Sequence, residues 1–414
     1  MSTSQGESTF RRKARLSLPP KIVALFTCAH FAHHLVPASI VPLLPFIRDE
    51  FALDYTMAAL VVSAFSVPYG FSQMPAGWVA DRLGPARVFL VGIVGTAALG
   101  LVVGLSTTYV LLLASLVAMG ILGGGYHPAA SSAIGLRIEP ERRASAYGLH
   151  TVGGGASQFV APVVAAAIAA SWGWRSGFMG LAAIAGLIGI LVYTAICRTD
   201  RTLTITPPRT QQAAVRDRTA ASDSRTNWRR LVVFIVFTGF TASTTKSVVS
   251  FVPLYLIDVH GFDESEAATA ISIFYSCGLW ASILGGFLAD RLGRLRVVAG
   301  VVLLSSPVVV LLGMASSGLV AVVLVLLLGI AMYVRSPASE SYIVEHTPSS
   351  RRSTVLGLYY FWSFEGSGIV APFVGLTIDS LGFSLAFTLM GCILVVVGAV
   401  CALALFRRFP HEAL

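Results

Sequence analysis

The stretch GWVADRLGPAR, residues 77–87, returns as GFLADRLGRLR, residues 286–296, with seven of eleven positions identical at an offset of 209. The same offset relates Pro128 to Pro337, Arg142 and Arg143 to Arg351 and Arg352, Gly148 to Gly357, Gly173 to Gly382 and Phe178 to Phe387. One offset held over this much chain marks two copies of a single unit in the same orientation. Each copy of the stretch places Asp, Arg and Gly between two long apolar runs, so each is a tight polar turn joining consecutive membrane crossings.

Outward from these turns, apolar runs lie near residues 22–47, 56–80, 87–107, 109–136, 145–171 and 176–197. The second copy has its own near 231–257, 266–289, 297–315, 318–345, 354–378 and 383–406. A crossing needs about 20 apolar residues. The expected fold is an all-α membrane protein of twelve transmembrane helices in two pseudo-symmetric six-helix bundles, 22–197 and 231–406. An N-terminal arm (1–21), a linker rich in Pro, Thr, Ser and Arg (198–230) and a tail (407–414) complete the chain. Placing the arm inside puts 25 of the 29 Lys and Arg residues on the inner side, while the outer loops hold only Arg48 and Arg175. Basic loops stay inside, so both termini are expected in the cytoplasm and the chain in the inner (plasma) membrane.

Composition narrows the function. Of 414 residues, 55% are hydrophobic and 12% charged, a balance suited to lipid rather than water. The net charge of +9 does not point to nucleic acid, because the basic residues sit between apolar runs instead of on one soluble face. Cys28, Cys197, Cys277, Cys392 and Cys401 fall in or at the ends of apolar runs with no Cys-x-x-Cys pair, so neither a disulfide nor a metal framework is expected. The basic arm and first run are not expected to be a secretory signal, since the run is a full span without a small-residue cleavage pattern. No G-x-S-x-G, H-E-x-x-H or nucleotide-binding loop occurs, so neither an enzyme nor a cofactor is expected.

The repeated stretch resembles the signature loop of the major facilitator superfamily, G-x-x-x-D-R-x-G-R-[RK] between the second and third spans, and the resemblance covers almost the whole chain. The second copy supplies Gly286, Asp290, Arg291, Gly293 and Arg294. The first supplies Gly77, Asp81, Arg82 and Gly84, with Pro85 and Ala86 where the family has basic residues. Asp81 and Asp290 end helices whose C-termini are already partly negative, so each gains from a neighbouring helix N-terminus and from Arg82 or Arg291. The resemblance implies the major facilitator fold, with spans 1, 4, 7 and 10 lining a central cavity and spans 2, 5, 8 and 11 flanking it. It also implies that these loops latch the halves in one access state while a small solute moves by alternating access.

Ionisable groups at membrane depth are costly and mark functional paths. Lys246 in span 7 and Arg335 in span 10 are candidates to bind an anionic group, Lys as a point charge and Arg as a planar fork. Glu365 in span 11 and Glu340 in span 10 are candidates for proton coupling, or for salt bridges to those two cations. His30, His33 and His34 share one face of span 1 at i, i+3 and i+4, with His127 in span 4 and His150 in span 5. His33, His34 and His127 are read as substrate contacts or proton relays, or as hydrogen-bonding partners of neighbouring helices. No Cys or carboxylate in span 1 completes a metal site, so no metal is expected.

GGGYHPAAS (residues 123–131) aligns with MYVRSPASE (residues 332–340), and the matched prolines predict symmetric helix breaks. The run Tyr-His-Pro-Ala-Ala-Ser resembles the corresponding span of fosmidomycin-resistance-type facilitators. Ser157-x-x-x-Ala161-Pro162 and Ser367-x-x-x-Ala371-Pro372 stand where the family's drug antiporters have G-x-x-x-G-P. The arginine those antiporters carry in span 4 would fall near Val117, and span 1 has no Asp or Glu. The resulting expectation is a secondary transporter, monomeric in the bilayer, that moves a small organic anion coupled to protons. A drug or antibiotic exporter of the same superfamily and a non-transporting sensor or scaffold on the same fold are the alternatives.

Overall fold

The computed structural model describes residues 21–137, 143–199, 227–348 and 351–408. Apart from their edges, the expected arm, linker and tail lie outside the described residues. In the first half, span 1 is Lys21–Leu35, a 3-10 turn Pro37–Ser39 and Ile40–Phe51. Span 2 is Tyr55–Leu83, span 3 Pro85–Gly104 and span 4 the pair Tyr109–Gly123 and Tyr126–Arg137. Spans 5 and 6 are Arg143–Trp172 and Trp174–Thr199. In the second half, span 7 is the pair Trp228–Ser250 and Val252–His260, followed by span 8 (Glu264–Leu292), span 9 (Arg294–Gly313) and span 10 (Gly318–His346). Span 11 begins with Arg352–Tyr360 and a π turn, Phe361–Glu365, and runs on into Ser367–Arg408.

Eleven of the described helices are long and apolar enough to cross a membrane, the last being Thr354–Phe406 at 53 residues. That is more than twice the length of one crossing. Gly382, at φ 77 and ψ 168, breaks it and starts span 12, just as Gly173 at φ 80 separates spans 5 and 6. Twelve crossings result. The motif turns show the same economy: Gly84 (φ 87, ψ 139) and Gly293 (φ 88, ψ 136) each give an N–H to the carbonyl of Ala80 or Ala289. A residue bearing a Cβ is disfavoured in that backbone conformation. The last glycine of each copied stretch is therefore a requirement of the turn.

Across the halves, span 2 packs on span 11 and span 5 on span 8, while spans 3 and 6 and spans 9 and 12 pair within their own halves. At the end that carries Arg48, one apolar core draws on both halves, including Leu43, Phe65, Val252 and Phe387. At the motif end there are two cores, one built from Phe26, Phe89 and Ile134 and the other from Phe234, Val298 and Ile343. The halves are thus closed together at the Arg48 end and separate at the motif end. Polar contacts agree: Arg48 pairs with Asp258, and the Tyr55 hydroxyl donates to Asp258 at 2.8 Å. The backbone N–H groups of Tyr55 and Thr56 donate to Asp379 at 2.9 Å each, so the first turn of span 2 is capped by a carboxylate from the other half.

The side chain of Asp81 lies outside the described residues. Arg82 stacks 3.6 Å over the Trp78 ring and Arg291 4.2 Å over Phe287. Arg294 pairs with Glu345 and ties span 9 to the end of span 10. The first loop has Pro85 at the matching position. One expectation is corrected here, because the helix breaks are not symmetric. Span 4 breaks at Gly124 and Gly125, leaving Pro128 in the first turn of its second piece, whereas span 10 runs unbroken through Pro337. A proline in a first turn forfeits no helical hydrogen bond, so glycine makes the break and proline only tolerates it.

Candidate functional site

Glycine also brings the histidines together. In span 5, Gly153 faces the Thr27 carbonyl so closely that a Cβ would lie 2.1 Å from that oxygen, and a Cβ on Gly154 would lie 2.6 Å from the His30 ring. Spans 1 and 5 therefore approach almost backbone to backbone. His30 and His150 stack with ring centroids 4.1 Å apart and planes at 9°. His30 Nδ1 donates to the His150 carbonyl at 2.7 Å, and His150 Nδ1 donates to the Phe26 carbonyl at 3.1 Å. A carbonyl can only accept, which leaves the proton on Nδ1 and a lone pair on Nε2 in both rings.

The glycines of span 4 act in the same way toward span 2. A Cβ on Gly120 would lie 2.4 Å from the Phe65 carbonyl oxygen, and one on Gly124 would lie 2.5 Å from that of Tyr69. The second piece of span 4 then opens on Tyr126 and His127. The His127 ring lies 5.5 Å from His33, 5.3 Å from His34 and 5.1 Å from His30, while Tyr126 stacks on His33 at 4.2 Å. His33 is fully buried and shares a 2.9 Å hydrogen bond between Nε2 and the Tyr69 hydroxyl. Five histidines from three spans thus form one group.

The facing wall is built from spans 7 and 11. A π turn widens the helix by one residue and leaves backbone carbonyls without helical partners. Side chains from one face of span 7 donate to backbone carbonyls in and just after this turn: Ser243 to that of Trp362, Lys246 Nζ to that of Phe364 at 2.5 Å and Ser247 to that of Ser367 at 2.9 Å. Glu365 ends the π turn, buried against Gly70 of span 2, where a Cβ would lie 2.9 Å from its own Cβ. No carboxylate lies within 4.0 Å of Lys246 Nζ among the described residues. Glu365 is close enough to Lys246 and Tyr69 to interact electrostatically, as Lys246 is to His34. The histidine group and the Lys246–Glu365 pair therefore form one polar site shared by both halves.

Arg335 and Glu340 form a separate group. Arg335 is buried within the second half and donates to the Thr238 carbonyl at 3.4 Å. Glu340 accepts from the Ser336 and Tyr360 hydroxyls at 3.0 and 3.2 Å. Sequence reading placed these two in the same list as Lys246 and Glu365, and it missed Tyr69, Tyr126 and the cross-half hydrogen bond from the Tyr333 hydroxyl to Gln158 (3.1 Å). Tyr126 was legible as the neighbour of His127 in a glycine-rich run. The π turn carried no sequence signal.

The sequence model of the Major Facilitator Superfamily matches residues 26–273 and again 232–413. The chain is 29% identical over 306 residues to the probable sulfoacetate transporter SauU of Cupriavidus necator, covering 70% of each chain. It is 23% identical over 389 residues to the fosmidomycin resistance protein of Escherichia coli, covering 92% of each. Among solved structures, a bacterial homolog of the human lysosomal transporter Spinster, in an inward-facing and occupied conformation, superposes with a TM-score of 0.74 at 19% identity, covering 94% of this chain and 96% of that one. Two overlapping matches of one family model that together span nearly the whole chain, the twelve-span architecture and the duplicated loop lead to one conclusion: this multi-pass membrane protein belongs to the Major Facilitator Superfamily and is a transporter of small molecules, not an enzyme.

Proposed function

We propose that the chain is a proton-coupled carrier of a small organic anion, acting as a monomer in the inner membrane with both termini in the cytoplasm. The observation that carries this reading is Lys246, a cation at membrane depth that no carboxylate neutralises within 4.0 Å among the described residues. Among the described residues its Nζ donates to one backbone carbonyl, a weak partner that an incoming carboxylate, sulfonate or phosphate displaces. The imidazoles and the Tyr69 hydroxyl across the site add neutral hydrogen-bond groups. The name of the SauU relative refers to sulfoacetate, which is such an anion.

Coupling follows from the position of Glu365 at the contact between spans 2 and 11 and next to Lys246. An anion that takes over Lys246 removes the cation that favours an ionised Glu365, so substrate binding and protonation favour one another. With the basic loops inside, the separated motif end faces the cytoplasm and the Arg48–Asp258 end closes the other side. The test is uptake of sulfoacetate into proteoliposomes under an imposed pH gradient, with a neutral sugar as control. The wild type is expected to concentrate the anion and the Glu365→Gln variant to lose that response while still exchanging bound substrate. A variant that concentrates sulfoacetate as the wild type does removes Glu365 from the coupling role.

A further inference from the structure

We propose that His33, His34 and His127 form a binding site for a divalent transition-metal cation of the borderline class, such as Zn2+, Co2+ or Ni2+. One ligand nitrogen from each of the three lies within 4.8 Å of the others. Their ring centroids are 4.9, 5.5 and 5.3 Å apart, with planes inclined at 67°, 85° and 41°. Three imidazoles whose nitrogens sit about 2.1 Å from one tetrahedral ion place their rings on the order of 5 Å apart, so the rings already have close to the required spacing. Closing the nitrogens onto an ion then takes side-chain rotation without helix movement.

A second observation is independent of that spacing. His33 Nδ1 and His30 Nε2 are buried with no hydrogen-bond partner, although both rings are more than nine-tenths buried. A buried polar nitrogen left unmatched is costly unless something binds it. In the tautomer in which His33 Nε2–H donates to the Tyr69 hydroxyl, the unmatched Nδ1 carries the lone pair a metal needs. A metal-binding imidazole is ordinarily held in this way, by a hydrogen bond from its other nitrogen. His30 is held likewise through Nδ1, and its ring packs against both His34 and His127, with centroids at 4.8 and 5.1 Å, so it buttresses two of the three ligands. An all-nitrogen donor set favours borderline transition metals over Mg2+ and Ca2+, which take oxygen. The expectation from sequence was no metal, because span 1 lacks a completing ligand. The completing ligand comes from span 4.

The site is tested by titrating Co2+ into the metal-stripped full-length protein, purified in detergent without a polyhistidine tag, and following the visible absorption of tetrahedral cobalt. One equivalent is expected to bind, Zn2+ to displace it and Mg2+ to leave it in place. His127→Ala and, separately, His34→Ala are expected to weaken binding at least 100-fold, His30→Ala about 10-fold, and His260→Ala, at the far end of span 7, not at all. Thermal unfolding without metal establishes that each variant is folded, and the half-buried His34 serves if His127→Ala is not. Absence of saturable Co2+ binding to the wild type, or equal binding by folded His34→Ala and wild type, overturns the site. Because no anion is present, this outcome is independent of the transport reading.

Discussion

Spans 4 and 10 occupy the same place in the two halves, yet one is broken and the other continuous. At the offset of 209, Gly124 corresponds to Tyr333, Tyr126 to Arg335 and His127 to Ser336. Where span 4 needs glycine to let Ser72 and Tyr69 approach, span 10 carries a tyrosine that reaches across to Gln158. The turn glycines match, Gly84 with Gly293 and Gly173 with Gly382, all four at positive φ. Of the positions that differ, Tyr126 and His127 stand in the histidine group, whereas Arg335 and Ser336 belong with Glu340. Duplication supplied a common framework, and the halves then diverged in chemistry, with imidazoles on one side and Lys246, Glu365 and a π turn on the other.

The largest effect tests which charges belong to the site. Lys246→Ala is expected to raise the Kd for sulfoacetate about 30-fold or more, corresponding to the roughly 2 kcal/mol lower bound for losing a buried charge partner. Arg335→Ala, whose guanidinium is engaged within the second half, is expected to change it less than about 3-fold at equal folded protein. Isothermal titration on purified protein decides the point. Equal losses would place Arg335 back in the binding site and merge the two polar groups.

A smaller effect sharpens the contrast between spans 4 and 10. Gly124→Ala puts a methyl group against the Tyr69 carbonyl and is expected to destabilise the protein by about 1–3 kcal/mol, the range for overpacking. Thermal unfolding should show this as a lowered midpoint, together with weakened binding because Tyr126 and His127 are displaced. A midpoint equal to that of the wild type would mean that the break in span 4 does not depend on this close approach.

The smallest effect probes the shared framework. Gly84→Ala and Gly293→Ala are each expected to cost about 1–2 kcal/mol, because the two turns have nearly the same φ and ψ and the strain is a backbone property. The paired midpoints should fall together. A loss confined to Gly293→Ala would tie that glycine to the fuller charge set of its loop, Arg294 and Glu345, and not to turn geometry.

Much of this architecture was readable because lipid imposes a length on every crossing and a sign on every loop, so apolar runs, basic loops and an internal repeat are enough to count and divide the spans. Turn glycines were readable for a related reason, since a positive φ restricts the residue locally. Lys246 and Glu365 stood out because charge inside a membrane is rare. Sequence could not decide which of these groups meet. His127 completes the histidine group only because glycines in spans 4 and 5 let helices approach closely, and Lys246 meets the Phe364 carbonyl inside a π turn that left no mark in the sequence. Arg335, as buried and as charged as any candidate, is directed elsewhere by the packing of its own half. Helix length, orientation and turns are set by interactions between near neighbours and with the solvent, whereas a binding site is a set of contacts between distant residues, and those were decided by tertiary packing.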